Sequence, residues 1–251
     1  MAKQNGILPL KGKIGNLSFY KTSDGHLLRE KGGVDAKRIA TDPAFQRTRE
    51  NGAEFGRAGK AAKLLKTALR AISQSASDRR VTSRLVKEMM RVIKSDSVSL
   101  RGERNATNGN IELLKGFEFN INAVLDSTLF APFTSEIDRV TGSLSIDIPA
   151  FVPEKNVVIP EGATHFQINS AGAELDFGGN VYVSANSGSA PLPWDNVATN
   201  PIVLSNAVTP NSTNPLFLLL GIEFFQEVNG KMYTLKNGGF NALSVIEVSA
   251  Q

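Results

Sequence analysis

LFLLLGIEFF, Leu216–Phe225, decides how the rest of the chain is read, and its opening Leu216–Leu220 is the longest apolar run in the sequence. A strand with one wet face alternates apolar and polar residues. This stretch is apolar at both parities, so it reads as a central strand covered on both faces. A helix is possible at its start, and Gly221 would be tolerated at a bulge. The run is far too short to span a bilayer, and no other segment approaches that length.

The stretch sits in a half of the chain with its own composition. From Phe117 onward lysine and arginine almost vanish, β-branched and aromatic residues rise, and turn clusters recur. Candidate strands are Phe117–Leu125, Glu136–Val140, Ser143–Ile148, His165–Ser170, Glu174–Phe177, Asn180–Ser184, Ile202–Leu204, Leu216–Gln226, Met232–Leu235 and Ala242–Val248. Thr141-Gly142, Gly178-Gly179, Asn229-Gly230 and Asn237-Gly238-Gly239 are hairpin signals, because their residues tolerate the positive φ of tight turns. Many short strands joined in this way argue an antiparallel β-sandwich or barrel.

Upstream, Thr41–Ile72 is the longest helical pattern. Asp42 can cap free backbone N–H groups, and Pro43 at the first helical position loses no hydrogen bond. One face runs through Phe45, Gly52, Phe55, Gly56 and Gly59 before reaching Ala62, Leu65, Leu69 and Ile72. Each glycine inside a helix costs about 1 kcal/mol against alanine, so this stripe needs a return. Three are open: tight packing on its own chain or a break near Gly52, contact with another molecule, or a glycine-lined ligand groove. A second helix, Arg79–Lys94, opens at Ser77 or Asp78 and should form a helical hairpin with the first. Ser95–Asn110 reads as an exposed connection. Ile7–Leu28 reads as strands and turns around the Asp24-Gly25 hairpin signal, with Leu17, Phe19 and Tyr20 on an arm that Glu30–Gly33 joins flexibly to the helices.

These readings give an α+β fold in three parts: an N-terminal β-hairpin arm over residues 1–33, a basic helical hairpin over 34–110 and an antiparallel β-sandwich-like domain over 111–251. The stretches GKIGNLSFYKTSDGHLLREKGG, DPAFQRTRENGAEFGRAGKAAKLL and LFLLLGIEFFQEVNGKMYTLKNG resemble a group of uncharacterised proteins found in Bacteroidota genomes. The resemblance implies a bacterial origin and carries no activity or site residues with it.

Charge is the most informative total. Residues 1–115 carry a net charge of +13 and residues 116–251 one of −9, inside an overall +4. Such a split offers either a basic surface for a polyanion or two complementary surfaces for association. Lys60, Lys63, Arg80, Arg84, Lys87 and Arg91 form the candidate basic face. A solvated face, a protein partner and nucleic acid all remain open for it.

Little points to catalysis. There is no cysteine, which excludes disulfides, thiolate metal sites and cysteine nucleophiles. His26 and His165 have no ligand partner at a metal-binding spacing, and neither a nucleophile elbow nor a phosphate-binding loop is present. Carboxylate pairs such as Glu174/Asp176 and Glu223/Glu227 are what any acidic sheet offers. No enzyme, cofactor or metal is expected. The N-terminus shows no secretory signal, giving the expectation of a cytoplasmic protein or a released particle or fibre. The sequence thus reads as a structural protein that assembles with copies of itself into a filament, tube or shell. Alternatives are a nucleic-acid-associated protein, and a carbohydrate- or ligand-binding sandwich using Trp194, Tyr182 and Tyr233.

Overall fold

A computed structural model describes residues 2–4, 10–30 and 32–250, apart from the side chains of Lys236 and Asn237. The chain divides into two compact units, Met1–Arg49 and Glu50–Gln251.

The first unit is an antiparallel sheet of four strands, Ala2–Lys3 (β1), Gly12–Ile14 (β2), Leu17–Thr22 (β3) and Gly25–Glu30 (β4), in the order β1-β4-β3-β2. The expected hairpin is therefore the centre of a larger sheet, because Ala2 and Lys3 pair back onto Leu28 and Leu27. The expected strand start at Ile7 and the Lys31 of the flexible connection lie outside the described residues. Helix α1, Ala36–Thr41, is capped by Asp35, which accepts from the Lys37 N–H at 2.9 Å. Asp42 then accepts from the Ala44 N–H at 2.9 Å and starts the 3-10 turn Pro43–Phe45 that leads into the long helix.

That helix, α2, runs Gln46–Ala68 without a break at Gly52 and is followed by the short α3, Arg70–Ser73. Helix α4 spans Val81–Lys94. It starts two residues later than expected, because Asp78 is spent on a preceding turn and on Arg84. Short helices α5, Leu125–Thr128, and α6, Pro153–Asn156, interrupt the β-rich part. Its strands are Thr134–Asp138 (β5), Ser143–Ile148 (β6), His165–Asp176 (β7), Val181–Gly188 (β8), Leu192–Pro193 (β9), Ile202–Ala207 (β10), Leu216–Val228 (β11), Lys231–Thr234 (β12) and Ala242–Ser249 (β13). They form two antiparallel sheets. One has the order β10-β6-β5; the other runs β12-β11-β7-β8, with β13 also on β11 and β9 on β7.

Strand β11 is central, as its composition requires. Leu216, Leu218, Leu220, Ile222 and Phe224 face one core, shared with Leu144, Ile146, Ile148 and Leu204 of the three-stranded sheet. Phe217 and Leu219 face the other, shared with Ala58, Ala62, Leu65, Leu85, Met89 and Val92 of the helices. The second unit is thus three layers: helices, six-stranded sheet, three-stranded sheet. The expected boundary at residue 110 runs through one of its two cores, because helices and sheet bury their apolar surface against each other. The helices bury their apolar side against the sheet, whereas the core between the two sheets lies wholly in the later part.

Local departures follow from the same packing. The bulge lies on β13, where pairing shifts between Leu218 and Leu219 and leaves Ile246 unmatched. One extra residue reverses side-chain parity, which turns Val248 to the helical core. Gly221 serves close approach instead: a Cβ there would lie 2.9 Å from the Ala242 carbonyl oxygen. Phe117–Leu125 is not a strand. It runs beside β13, with Gly116 and Phe119 N–H groups donating to Val245 and Leu243, then turns into α5. His165–Ser170 and Glu174–Phe177 are one continuous strand, β7.

Candidate functional site: an uncovered sheet, an open helix face and a basic groove

In the N-terminal sheet, register sets Ala2, Ile14, Leu17, Phe19 and Leu28 on one face, with Lys21, His26 and Glu30 towards its ends. Lys3, Lys13, Ser18, Tyr20, Leu27 and Arg29 share the other, where the Arg29 guanidinium lies 5.6 Å from the Tyr20 ring centre. Not one described residue of Met1–Arg49 is buried, and Ile14 is 62% exposed. A sheet with an apolar face normally gains its stability from a second layer.

The glycine stripe of α2 is also open. The helix buries Glu54, Ala58, Ala61, Ala62, Leu64, Leu65 and Ala68. At 100° per residue, Gly52, Gly56 and Gly59 lie on the opposite side. A Cβ at any of the three would meet nothing within 4 Å. Tight packing within Glu50–Gln251 therefore does not account for them. Phe55, between them, is 58% exposed, and Phe45 is half-buried with the Arg38 guanidinium 5.8 Å from its ring centre.

A groove of about 940 Å³ lies beside α2, lined by Arg57, Lys60, Lys63, Asn105, Asn108, Asn180 and Tyr182 over a floor of Ala61, Leu64, Ala106 and Phe177. A second depression of about 450 Å³ continues it along Lys63, Lys66, Thr67 and Arg70. Among the described residues no carboxylate lines either one. The wall comes from the Ser95–Asn110 loop, which is firmly held instead of loose. Asp96 is buried and accepts the N–H groups of Val98 and Ser99 at 2.9 Å and Asn105 at 3.1 Å. Burial opposes its ionisation, but these hydrogen bonds win and hold the carboxyl down to about 2. From α2, buried Glu54 accepts the Gly102 N–H at 2.8 Å, while Arg57 donates to the carbonyls of Arg104 and Gly102. Gly102 has φ +89°, and a Cβ there would lie 2.7 Å from Glu50 Cγ. At Gly109 a Cβ would lie 2.3 Å from the Val92 carbonyl oxygen. Only glycine fits at these two positions.

The expected basic face is split. Lys60 and Lys63 line the groove, whereas Arg80, Lys87 and Arg91 are exposed elsewhere, on or beside α4, Arg91 pairing with Glu88 at 2.6 Å. Arg84 does not belong to an outer face. It turns inward, pairs with Asp78, donates to the carbonyls of Glu118 (2.6 Å) and Phe119 (3.0 Å), and stacks on Phe117. Trp194 is a loop anchor, donating to the Val157 carbonyl at 3.0 Å. Tyr182 and Tyr233 do not form a platform with each other. Tyr182 pairs opposite Leu175 and Tyr233 lies beyond the His165 end of β7, about 30 Å apart at the rise of a strand.

The carboxylates weighed for chemistry have structural partners. Glu174 accepts from Ser212 Oγ (2.6 Å), Asn214 Nδ2 (2.9 Å) and the Thr209 N–H (3.2 Å), pinning the loop before β11. Burial opposes ionisation there too, and the hydrogen bonds outweigh it, lowering the pKa. Asp176 accepts the Gly179 N–H in the β7–β8 turn, and Glu223 accepts from Ser75. Glu227 lies 3.6 Å from His165 Nε2, a pair the linear spacing did not announce. Among the described residues no group of three or more His, Asp or Glu side chains is arranged to hold a metal. No helix among them is long and apolar enough to cross a membrane.

Two features were not foreseen. The outer face of the three-stranded sheet carries Glu136, Asp138 and Asp147 among Thr134, Ser143, Ser145, Ser205 and Ala207, an acidic surface with Val203 66% exposed. Strand alternation would have revealed it once β5, β6 and β10 were paired. The other is Glu118, whose Oε2 is buried without a hydrogen-bond partner while Oε1 accepts the Leu125 N–H at 3.4 Å. Burial pushes its carboxyl up to about 7, against the hydrogen bonds from Ser244 and Leu125. In comparisons with protein-family models, curated proteins and solved structures, no match to this chain was found.

Proposed function

We propose that this chain is a non-enzymatic structural subunit that assembles with copies of itself into a ring, tube or filament. The observation that carries the reading is the N-terminal sheet, which presents an apolar face while none of its described residues is buried. A second copy would supply the layer that Met1–Arg49 lacks within itself. The charges say which surface: Met1–Arg49 has a net charge of +6, residues 50–115 one of +7 and residues 116–251 one of −9. The sheet face bearing Glu136, Asp138 and Asp147 complements the overall positive charge of Met1–Arg49, with Lys21 on the apolar face itself and Lys3, Lys13 and Arg29 on the opposite one. Such matching sets register and orientation more than affinity. A contact between two different surfaces repeats from copy to copy, closing into a ring or extending as a filament. The uncovered glycine stripe of α2 provides a further surface for close approach.

Sedimentation velocity and negative-stain electron microscopy of the full chain, at low and at ~1 M salt where screening falls to roughly 3 Å, test this. Assemblies of the wild type that are lost in F19D/L28D support it, and dissociation in high salt assigns the contact to charge. A wild type that stays monomeric at every concentration and both salts refutes it.

A further inference from the structure

The row Arg57, Lys60, Lys63, Lys66 and Arg70 advances along α2 and α3 at spacings of three or four. It follows the two joined depressions, which share Lys63 and Thr67. At the rise of a helix its five cations cover about 20 Å. Lys60, Lys63 and Arg70 are exposed; Lys66 donates to Thr82 Oγ1 at 2.8 Å, and Arg57 is held by the loop it clamps. Beside the cations stand groups of another kind: the carboxamides of Asn105, Asn108 and Asn180, and the Tyr182 ring, 44% exposed.

From this we infer that the groove is a binding site for single-stranded nucleic acid. The cations track the backbone of an extended polyanion. Tyr182 offers a stacking surface for one base. The Asn105 carboxamide is engaged with Ser99 and the Asn108 N–H, and the Asn108 Nδ2 with Ser99. That leaves the Asn180 carboxamide and the Asn108 Oδ1 to hydrogen-bond base edges without reading a unique sequence. A concave track with an aromatic ring suits a strand better than it suits the acidic sheet face of a neighbouring copy, which offers no base to stack. It also suits a strand better than a duplex, which presents its bases stacked and paired. This inference is independent of assembly, since the groove lies wholly within Glu50–Gln251.

Fluorescence anisotropy of a labelled oligodeoxythymidine of about 20 nucleotides, titrated with the full chain, is the test. With about three to four phosphates engaged, the slope of roughly −0.7 per phosphate for single strands weakens binding about 20–50-fold between ~50 and ~200 mM salt. K60E/K63E should lose tenfold or more, whereas K87E/R91E, with the same change of net charge outside the groove, should stay within about threefold. Y182A should weaken binding about fivefold or more, as removal of a stacked ring does. Equal losses in the two double variants would mean that net charge alone attracts the strand, overturning the site. Displacement by polyglutamate at matched charge together with an unchanged Y182A would make the groove an acidic-peptide site. Absence of binding at ~50 mM salt would end the proposal, and circular dichroism of each variant separates loss of binding from loss of fold.

Discussion

Replacing Glu118 with glutamine is expected to stabilise the protein above neutral pH and to leave it nearly unchanged in mild acid. The carboxyl is pushed up to about 7 from an ordinary 4.5, first by burial. A group whose folded pKa is raised favours the folded state fully below its unfolded pKa, and that contribution is lost as pH rises through the folded pKa. The window therefore runs from about 4.5 to about 7. At 1.36 kcal/mol per pKa unit the shift would amount to roughly 3 kcal/mol. Glu118 is only partly buried, so solvent screening reduces this to about 1–2 kcal/mol. Glutamine keeps an acceptor for the Leu125 N–H and removes the desolvated charge, leaving an N–H₂ group to satisfy in place of the orphaned Oε2. For a chain of this size 1 kcal/mol corresponds to about 2–4 °C in Tm. E118Q should accordingly melt about 2–8 °C above wild type near pH 8.5 and within about 1 °C of it near pH 4.5. The assay is thermal unfolding by circular dichroism at fixed protein concentration, with wild type and variant side by side. A difference that does not change with pH would refute the reasoning. So would a variant less stable than wild type at the higher pH.

G56A should raise the stability of the dissociated subunit by about 1 kcal/mol, because helix propensity improves and the added Cβ meets nothing within 4 Å. If the stripe is a contact surface, sedimentation of the same variant will show weakened assembly; a more stable variant that assembles normally would remove the stripe from the interface. D96N should cost about 1–3 kcal/mol, since it replaces a charged acceptor of three backbone N–H groups by a neutral one. Because the Asp96 pKa is depressed to about 2, wild type keeps this contribution above pH ~4 and loses it as pH falls through 2. The gap between D96N and wild type in denaturant unfolding should therefore close in strong acid, and a gap constant with pH would contradict the assignment.

The elements legible in the sequence were those with local causes. Thr141-Gly142, Gly178-Gly179 and Asn229-Gly230 do join strands, and Asn229 and Gly230 have the positive φ values, 52° and 75°, that such a turn demands. Asp42 does cap the turn it precedes. Leu216–Phe225, apolar at both parities, does lie in a strand covered on both faces. In each case neighbouring residues carry the whole signal.

The site was less legible. Lys60 and Lys63 were recognisable as exposed cations, but nothing in their neighbourhood showed that Asn105, Asn108 and Tyr182 would stand across a groove from them. The groove wall depends on Glu54 and Arg57 reaching residues 45 to 48 positions away, and on Asp96 gathering N–H groups from a loop that reads as loosely exposed. Arg84 shows the same limit from the other side. Its place in a helical charge pattern suggested solvent, whereas Asp78 and the carbonyls of Glu118 and Phe119 draw it inward.

Sequence alone therefore determined the α+β class, the antiparallel hairpins, the doubly covered strand and the opposition of a basic and an acidic part, because composition, periodicity and turn chemistry act over a few residues. Tertiary structure decided what covers each face of β11, the division at Arg49/Glu50, the bulge at Ile246, the inward turn of Arg84 and the walls of the groove. Those outcomes rest on apolar faces and single polar groups finding partners far along the chain, and local conformational preference does not encode such distances.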